Sequence, residues 1–506
     1  MLKHNLLSLL MVFNPDELKM FADFLSSKCH ITNKKLYPLL TLLTDFFPTF
    51  KNECLTKQYL FENLYPGKEY HDSTIRNLLS ELLEKCEEFL TFEALVKNDF
   101  KAGLDLLHVL SIKKQNKLFL RKKDLLQNIF EKMKLDNELI SDKIRYDFEV
   151  LNFNISNQSI KNKEVILDRV SRINISIIEI IIHSVIEIIE RELKIFVYNK
   201  KFNLGYNGYL NETFICSAEA FISSQCIDKT SKSYILYKLY ILLFKTFKHF
   251  GKKTHFKEYK KLIERNIDVL SNNEIFSHFS HMITYCMVML ETKNPEAEYK
   301  ALLYNIYEDF LQHKYYKNSY SDYIDTNLFR AIVVFGIKNK DYTWLRELIK
   351  NNIKCIKLSD RDKMYNYSMA QLECAFGNSI KALDHINKIN LDYFIYKYDT
   401  YNLKLKIYYL NGYYEEALCL IHTYKAFLRN NEIKSKTEKH KYKRYIEIME
   451  LLIQYRCGIE RIKLEDIAFE MKKDDRIVFK EWLIEEVQNI ETLTTKSNYR
   501  ARISLK

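Results

Sequence analysis

Apolar residues recur every three or four positions over most of this chain, which is the period of one face of an α-helix. The clearest stripe lies between residues 72 and 90. Its eight apolar members are Ile75, Leu78, Leu79, Leu82, Leu83, Cys86, Phe89 and Leu90. The pattern predicts an all-α protein in which helix exceeds about half of the chain, far above the usual third.

Helix starts can be predicted within the first ninety residues. Asn14 can cap a helix that has Pro15 at its first position and Glu17 three residues after the cap. Thr56 can cap a second, shorter helix. With the apolar stripe, these signals predict that residues 1–95 form a small helical head.

Turn signals divide the rest of the chain. We predict irregular helical hairpins in 96–230, a repeat solenoid in 231–458, capping helices in 459–493 and a flexible, frayed tail in 494–506. The predicted breaks fall near 154–162, 203–211, Gly251, 293–295, 339–341, Gly377, Gly412 and Gly458.

Two segments repeat at a fixed distance. Gly377 and Gly412 are 35 residues apart (412 − 377), and the same distance separates Ala382-Leu383 from Ala417-Leu418 and Ile386 from Ile421. Residues 339–345 form a looser third copy. The pattern is similar to tetratricopeptide repeats, and the resemblance implies an α-solenoid of stacked helix pairs with a concave groove.

The resemblance also places the first helix of each pair along that groove. The inward residues are then Met364, Tyr367, Gln371 and Cys374 in one unit and Asp399, Asn402, Lys406 and Tyr409 in the next. Tyrosine, amide and lysine side chains suit a peptide backbone or a carboxylate. The alternative is that they are ordinary surface residues of a scaffold.

The stretch LTKQYLFENLYPGKEYHDSTIRNLLSELLEKCEEFL, residues 55–90, resembles the helix-turn-helix core of winged-helix domains. It is most like those that head bacterial regulators with tetratricopeptide-type repeats. The resemblance makes Arg76, Asn77 and Lys85 the nucleic-acid candidates. The polar face of this helix is net acidic, however, and residues 91–100 contain no glycine for a wing. As a whole, the chain resembles an uncharacterised family of bacterial helical proteins, which supplies no activity.

Composition narrows the choice of fold and compartment. The 506 residues include only 9 Gly and 5 Pro, so turn-rich β and α/β folds are disfavoured. The ten cysteines form no CxxC pair and indicate small core residues in a reducing compartment, hence a cytoplasmic protein. The net charge of +12 (78 − 66) is spread along the chain. Nucleic acid is therefore a possible partner, but a less favoured one.

Two constellations of metal-binding residue types can be weighed. Glu179, His183 and Glu187 share one helix face inside the very apolar segment 173–189. These polar residues exclude a membrane span. They form either a polar stripe on the helix or, as the alternative, part of a carboxylate–histidine metal site. His278, His281 and Cys286 could be zinc ligands, but no second close pair follows. We predict no metal and no cofactor.

No motif for catalysis is present. The chain lacks the glycine-rich phosphate loops, the nucleophile elbow and the HExxH zinc motif. A basic segment, 429–444, is expected to be a solvated loop leading into a helix. The sequence therefore predicts a non-catalytic scaffold that binds a partner protein segment in the repeat groove. The alternative is a nucleic-acid-binding regulator that uses the head, with the repeats as a sensor.

Overall fold

The chain folds into helices throughout the part that can be described. This structure is a computed structural model, and it describes residues 4–27, 33–50, 52–157, 163–202, 212–290, 297–389, 394–430, 436–459, 462–472 and 477–503. Within these ranges there are 23 α-helices, one short 3-10 helix and no β-strand. The predicted all-α class is confirmed.

The helix starts agree with the capping signals. Asn14 Oδ1 accepts a 2.9 Å hydrogen bond from the Glu17 amide, and the Glu17 carboxylate accepts one of 2.8 Å from the Asn14 amide. The hydroxyl of Thr56 accepts a hydrogen bond from the amide of Tyr59.

The helices are α1 (Asn5–Leu10), α2 (Pro15–Ser26), α3 (Leu36–Thr44), α4 (Lys57–Leu64), α5 (Asp72–Lys97), α6 (Asp99–Ile112), α7 (Asn116–Lys132), α8 (Asn137–Asn157), α9 (Lys163–Phe202), α10 (Glu212–Ser224), α11 (Lys232–Lys248), α12 (Lys253–Asn266), α13 (Asn272–Leu290), α14 (Ala297–Gln312), α15 (Thr326–Lys338), α16 (Tyr342–Asn352), α17 (Leu358–Ala375), α18 (Ser379–Asn387), α19 (Phe394–Leu410), α20 (Tyr414–Asn430), α21 (Lys436–Arg456), α22 (Leu464–Lys472) and α23 (Lys480–Ile503).

The chain divides into two compact units, and the first comprises residues 1–133 and 141–176. Helices α1 to α5 share one apolar core, to which the stripe on α5 contributes. Helices α6 and α7 form a second core with α8, where the rings of Phe119 and Phe153 stack at 3.8 Å. Because α5 continues to Lys97, most of the segment in which a wing would begin is helical.

The second unit comprises residues 134–140 and 177–506. Consecutive helices pack as pairs: α11 with α12, α13 with α14, α15 with α16, α17 with α18, and α19 with α20. The first helices of successive pairs also touch, since α15 packs on α17, α17 on α19, and α19 on α21. This order positions the side chains of α15, α17 and α19 beside one another.

The glycine turns share one geometry. Gly377, Gly412 and Gly458 have φ angles of 83°, 74° and 78°. Around each, the following amide donates to the carbonyl five residues earlier, as in Asn378 N to Glu373 O at 2.9 Å. The same pattern recurs with lysine at the left-handed position, where the φ angles are 53°, 57° and 57° for Lys114, Lys314 and Lys340.

Small residues lie between paired helices, but not always on the same helix. Ala382 and Ala417, which are 35 residues apart in the sequence, are fully buried on the second helix of their pairs. In the looser copy, Leu345 stands at this position on α16. Its counterpart on α15 is Gly336, where a Cβ atom would lie 3.2 Å from the Cβ of Leu345. In this copy the small residue therefore lies on the first helix of the pair instead of the second.

Several predicted boundaries can be compared with the structure. Turns occur at Gly251, Gly377, Gly412 and Gly458, whereas the predicted breaks at 203–211 and 293–295 lie outside the described residues. Helix α23 extends to Ile503, through most of the tail for which fraying is expected; residues 504–506 are not described. No helix in the described ranges is both long enough and apolar enough to cross a membrane.

Candidate functional site

A cavity of about 680 Å³ lies within the second unit. Its walls come from α15, α17 and α19 on one side and from residues 477–485, which include the start of α23, on the other. Four of the predicted groove residues line this cavity: Gln371, Asp399, Asn402 and Lys406. Cys374, also predicted to face inward, lines it as well.

Asp399 is held by groups from two other helices. The Arg330 guanidinium forms an ion pair with Asp399 Oδ2, and the Tyr367 hydroxyl donates a 3.0 Å hydrogen bond to the same oxygen. Gln371 Nε2 in turn donates to the Tyr367 oxygen at 3.3 Å. Burial raises the pKa of Tyr367, so its hydroxyl keeps the proton that it donates. The Asp399 charge is therefore already neutralised within the wall.

Asn402 is fixed by two buried tyrosines. Tyr424 donates a 2.9 Å hydrogen bond to Asn402 Oδ1, and Tyr445 donates one of 3.0 Å to the Asn402 backbone carbonyl. Burial is the main cause that raises the pKa of both tyrosines. Because its side-chain oxygen is occupied, Asn402 retains its amide Nδ2 as a hydrogen-bond donor.

Lys406 has aromatic neighbours instead of a carboxylate. Its Nζ lies 4.5 Å from the centre of the Trp482 ring and 5.1 Å from that of Phe479. Burial lowers the pKa of Lys406, while the Cys374 thiol and the Glu485 and Glu486 carboxylates act in the opposite direction. The cation is thus desolvated and only partly compensated.

Tyr409 differs from its expected role as an accessible groove residue. It is only 3% exposed, its hydroxyl donates a 2.9 Å hydrogen bond to Glu486 Oε1, and it accepts one of 3.1 Å from Arg456 Nε. Tyr367 and Met364 are buried as well. These three side chains therefore belong to the buried core. Helical periodicity alone does not show that their helix faces are covered, but α23 and the neighbouring helices pack against them.

Sequence reasoning did not identify the opposite wall. Arg330 meets Asp399 across 69 residues, and no local pattern connects the two. Phe479 and Trp482 belong to a segment that we expected only to cap the repeats. The one signal that could have drawn attention to Trp482 is its rarity, since the chain has two tryptophans.

The nucleic-acid candidates of the head are partly engaged within their own helix. Arg76 Nε lies 2.7 Å from Asp72 Oδ2, and Lys85 Nζ lies 2.8 Å from Glu88 Oε2. Asn77 is exposed. Of the basic segment 429–444, residues 431–435 are not described, while Arg444 pairs with Glu447 and Glu470, each at 2.7 Å.

The two weighed metal constellations lie on different helices and mix buried with partly exposed side chains. His183 Nδ1 lies 2.9 Å from Asn137 Oδ1, and Asn137 Nδ2 donates to Glu187. The Nδ1 atom of His278 lies 2.7 Å from the Tyr259 hydroxyl. In the described part of the chain, no three His, Cys, Asp or Glu side chains are grouped so that they could hold a metal ion.

A buried proton-sharing network joins helices of the second unit. The Tyr240 hydroxyl lies 2.7 Å from Glu190 Oε1 and 3.1 Å from Glu274 Oε2, and the Asn137 amide donates to Glu274 Oε1 at 3.0 Å. One hydroxyl has one hydrogen, so both contacts become hydrogen bonds only if one carboxyl is protonated. Burial raises the pKa of Glu274 to about 8, so Glu274 is the carboxyl that carries the proton.

Within the described residues, fold and site together define a helical protein with paired helices and a partly enclosed, lysine-bearing cavity in its second unit. Comparison of the chain with protein-family models, with curated proteins and with solved structures gives no match.

Proposed function

We propose that this chain is a non-catalytic interaction scaffold that binds a segment of a partner protein beside α15, α17 and α19. The single observation that carries this proposal is the shared cavity, because four residues selected from sequence spacing line it together. Stacked first helices form the groove of tetratricopeptide-like solenoids, and the packing of α15 on α17 and α17 on α19 supports that architecture. The cysteine pattern supports the cytoplasm as the compartment.

The rim offers surface on which a segment could continue beyond the cavity. Val334 and Leu410 line the cavity and are 40% and 37% exposed, respectively. Large apolar side chains at an accessible rim are typical of interaction sites. The regulator alternative has less support, because Arg76 and Lys85 already have acidic neighbours in the same helix.

The test uses charge placed at the rim. Tagged parent protein, Val334→Arg and Leu410→Arg are used to capture partners from the native cell, with Ile380→Arg as the matched control. Ile380 is 69% exposed and lies outside the cavity lining. A partner retained by the parent and the control but lost by both rim variants, and whose synthetic segment binds the purified parent, supports the proposal. A partner that all four proteins retain would overturn it.

A further inference from the structure

The cavity contains a lysine without a counter-charge. No carboxylate oxygen of the described residues lies within 4.0 Å of Lys406 Nζ, and its charged neighbours act only at longer range. Trp482 and Phe479 offset part of the desolvation through their ring faces. Lys406 is partly buried. A cation withdrawn from solvent is normally paired, so an unpaired one in a cavity wall indicates a place for an anion.

Two neighbouring cations, Arg330 and Lys340, differ from Lys406 in this respect. Arg330 is neutralised by Asp399, and Lys340 Nζ lies 3.0 Å from Glu485 Oε1. Asp399, Glu481 and Glu485 all line the cavity. The additional negative charge of Glu481 disfavours a multiply charged ligand such as a phosphate dianion, whereas a single carboxylate would match Lys406.

The remaining lining suits an apolar body. The volume of about 680 Å³ falls within the range of small-molecule sites, which combine apolar walls with a few fixed polar groups. Asn402 supplies such a group, since Tyr424 occupies its side-chain oxygen and leaves the amide donor. The apolar wall residues are Val334, Ile337, Leu403, Leu410, Ile477 and Trp482.

We propose that this cavity is a binding site for a small organic anion with one carboxylate on an apolar body. The carboxylate pairs with Lys406 Nζ and accepts from Asn402 Nδ2, and the body packs against the wall that Trp482 closes. The proposal goes beyond the scaffold function and does not depend on a partner protein. A carboxylate carried on a peptide shares the recognition chemistry, and the experiment separates the two sources.

Tryptophan fluorescence gives a local readout. Trp344 lies outside the cavity lining, where its Nε1 donates a 3.1 Å hydrogen bond to Glu308. In a Trp344→Phe protein, Trp482 is the only tryptophan of the full chain. This protein is titrated with phenylbutanoate, with phenylbutanamide, and with the blocked peptide acetyl-leucyl-aspartyl-leucine amide.

We expect phenylbutanoate to change the Trp482 emission and to bind roughly tenfold or more tightly than its amide, because a charge-assisted hydrogen bond contributes more than about 1.4 kcal/mol. Lys406→Met should remove that difference, and Lys406→Arg should retain it. Lys338→Met is the control, since Lys338 is an exposed residue of the same cavity. Circular dichroism of each variant establishes that it is folded.

Several results would overturn the proposal. One is equal affinity of the acid and its amide for the Trp344→Phe protein. Another is a folded Lys406→Met variant that still prefers the acid. Binding of the peptide without binding of phenylbutanoate would assign the anion to a protein partner instead. The absence of any emission change, together with no heat of binding by calorimetry, would also reject the site.

Discussion

Tyr409 and Glu486 are joined by a hydrogen bond of 2.9 Å from the tyrosine hydroxyl to Oε1. The bond connects α19 to α23, and Arg456 from α21 contacts both partners, with its guanidinium 2.8 Å from Glu486 Oε1. Three helices therefore meet at one charged cluster beside the cavity. This arrangement makes Tyr409 a structural residue.

Tyr409→Phe should lower the free energy of unfolding by about 0.5–1.5 kcal/mol, because it removes one hydrogen-bond partner from the half-buried Glu486 carboxylate and one from the more exposed Arg456 guanidinium. Urea denaturation monitored by circular dichroism measures the change. Tyr408→Phe is the control, since Tyr408 is a less buried neighbour on the same helix. Equal midpoints for both variants would show that the cluster does not stabilise the fold.

Ala417→Leu should destabilise the second unit by about 1–3 kcal/mol, because Ala417 is fully buried between paired helices. Glu416→Leu adds the same side chain at the adjacent exposed position and should have little effect. Thermal melting of the two variants beside the parent gives the comparison. If Ala417→Leu melts like Glu416→Leu, the close helix approach inferred at this position is incorrect.

Gly377→Ala should cost about 1–2 kcal/mol through backbone strain alone, since its φ is 83° and no atom lies within 4 Å of the added Cβ. Gly377→Asn should cost less, because asparagine tolerates the left-handed region. Chemical denaturation of the pair tests this order. An alanine variant as stable as the parent would be inconsistent with the left-handed turn.

The contribution of Glu274 to stability should decline as the pH rises from about 4.5 to about 8. The pKa of Glu274 is raised from 4.5 to about 8 by burial, so the folded state holds a proton that the unfolded state releases in this range. The corresponding stability is complete below pH 4.5 and is lost as the pH rises to about 8. Burial lowers the pKa of His278 to about 3 and that of His281 to about 4, and these groups reduce stability below pH 6.5.

Between pH 6.5 and 8, Glu274 is the only one of these three groups that titrates in the folded state. The parent should lose stability with a slope of up to about 1.4 kcal/mol per pH unit, and Glu274→Gln should show a flatter profile. Denaturation midpoints across this range provide the measurement, with the exposed Glu347→Gln as control. A slope that persists unchanged in Glu274→Gln would assign the titration to another group.

Local signals predicted most of the helices and the glycine turns, because capping and left-handed backbone depend on a few adjacent residues. The turn at Lys340 was predicted only loosely, since lysine carries no signal for the left-handed conformation that it adopts there. Only the wall of the cavity that α17 and α19 form was predicted from the sequence. Helical spacing brings Asn402 and Lys406 to one face, but nothing near Lys406 specifies that α23 will pack Trp482 against it.

The two walls of the cavity come from separate parts of the chain, since residues 477–485 follow α19 by 67 positions (477 − 410). Any molecule that bridges both walls must bind more tightly when α23 is docked than when it is detached. By thermodynamic linkage, occupancy must then oppose local opening of this helix to the same extent. Backbone amides in α23 should consequently exchange their hydrogens with deuterated water more slowly when the cavity is filled.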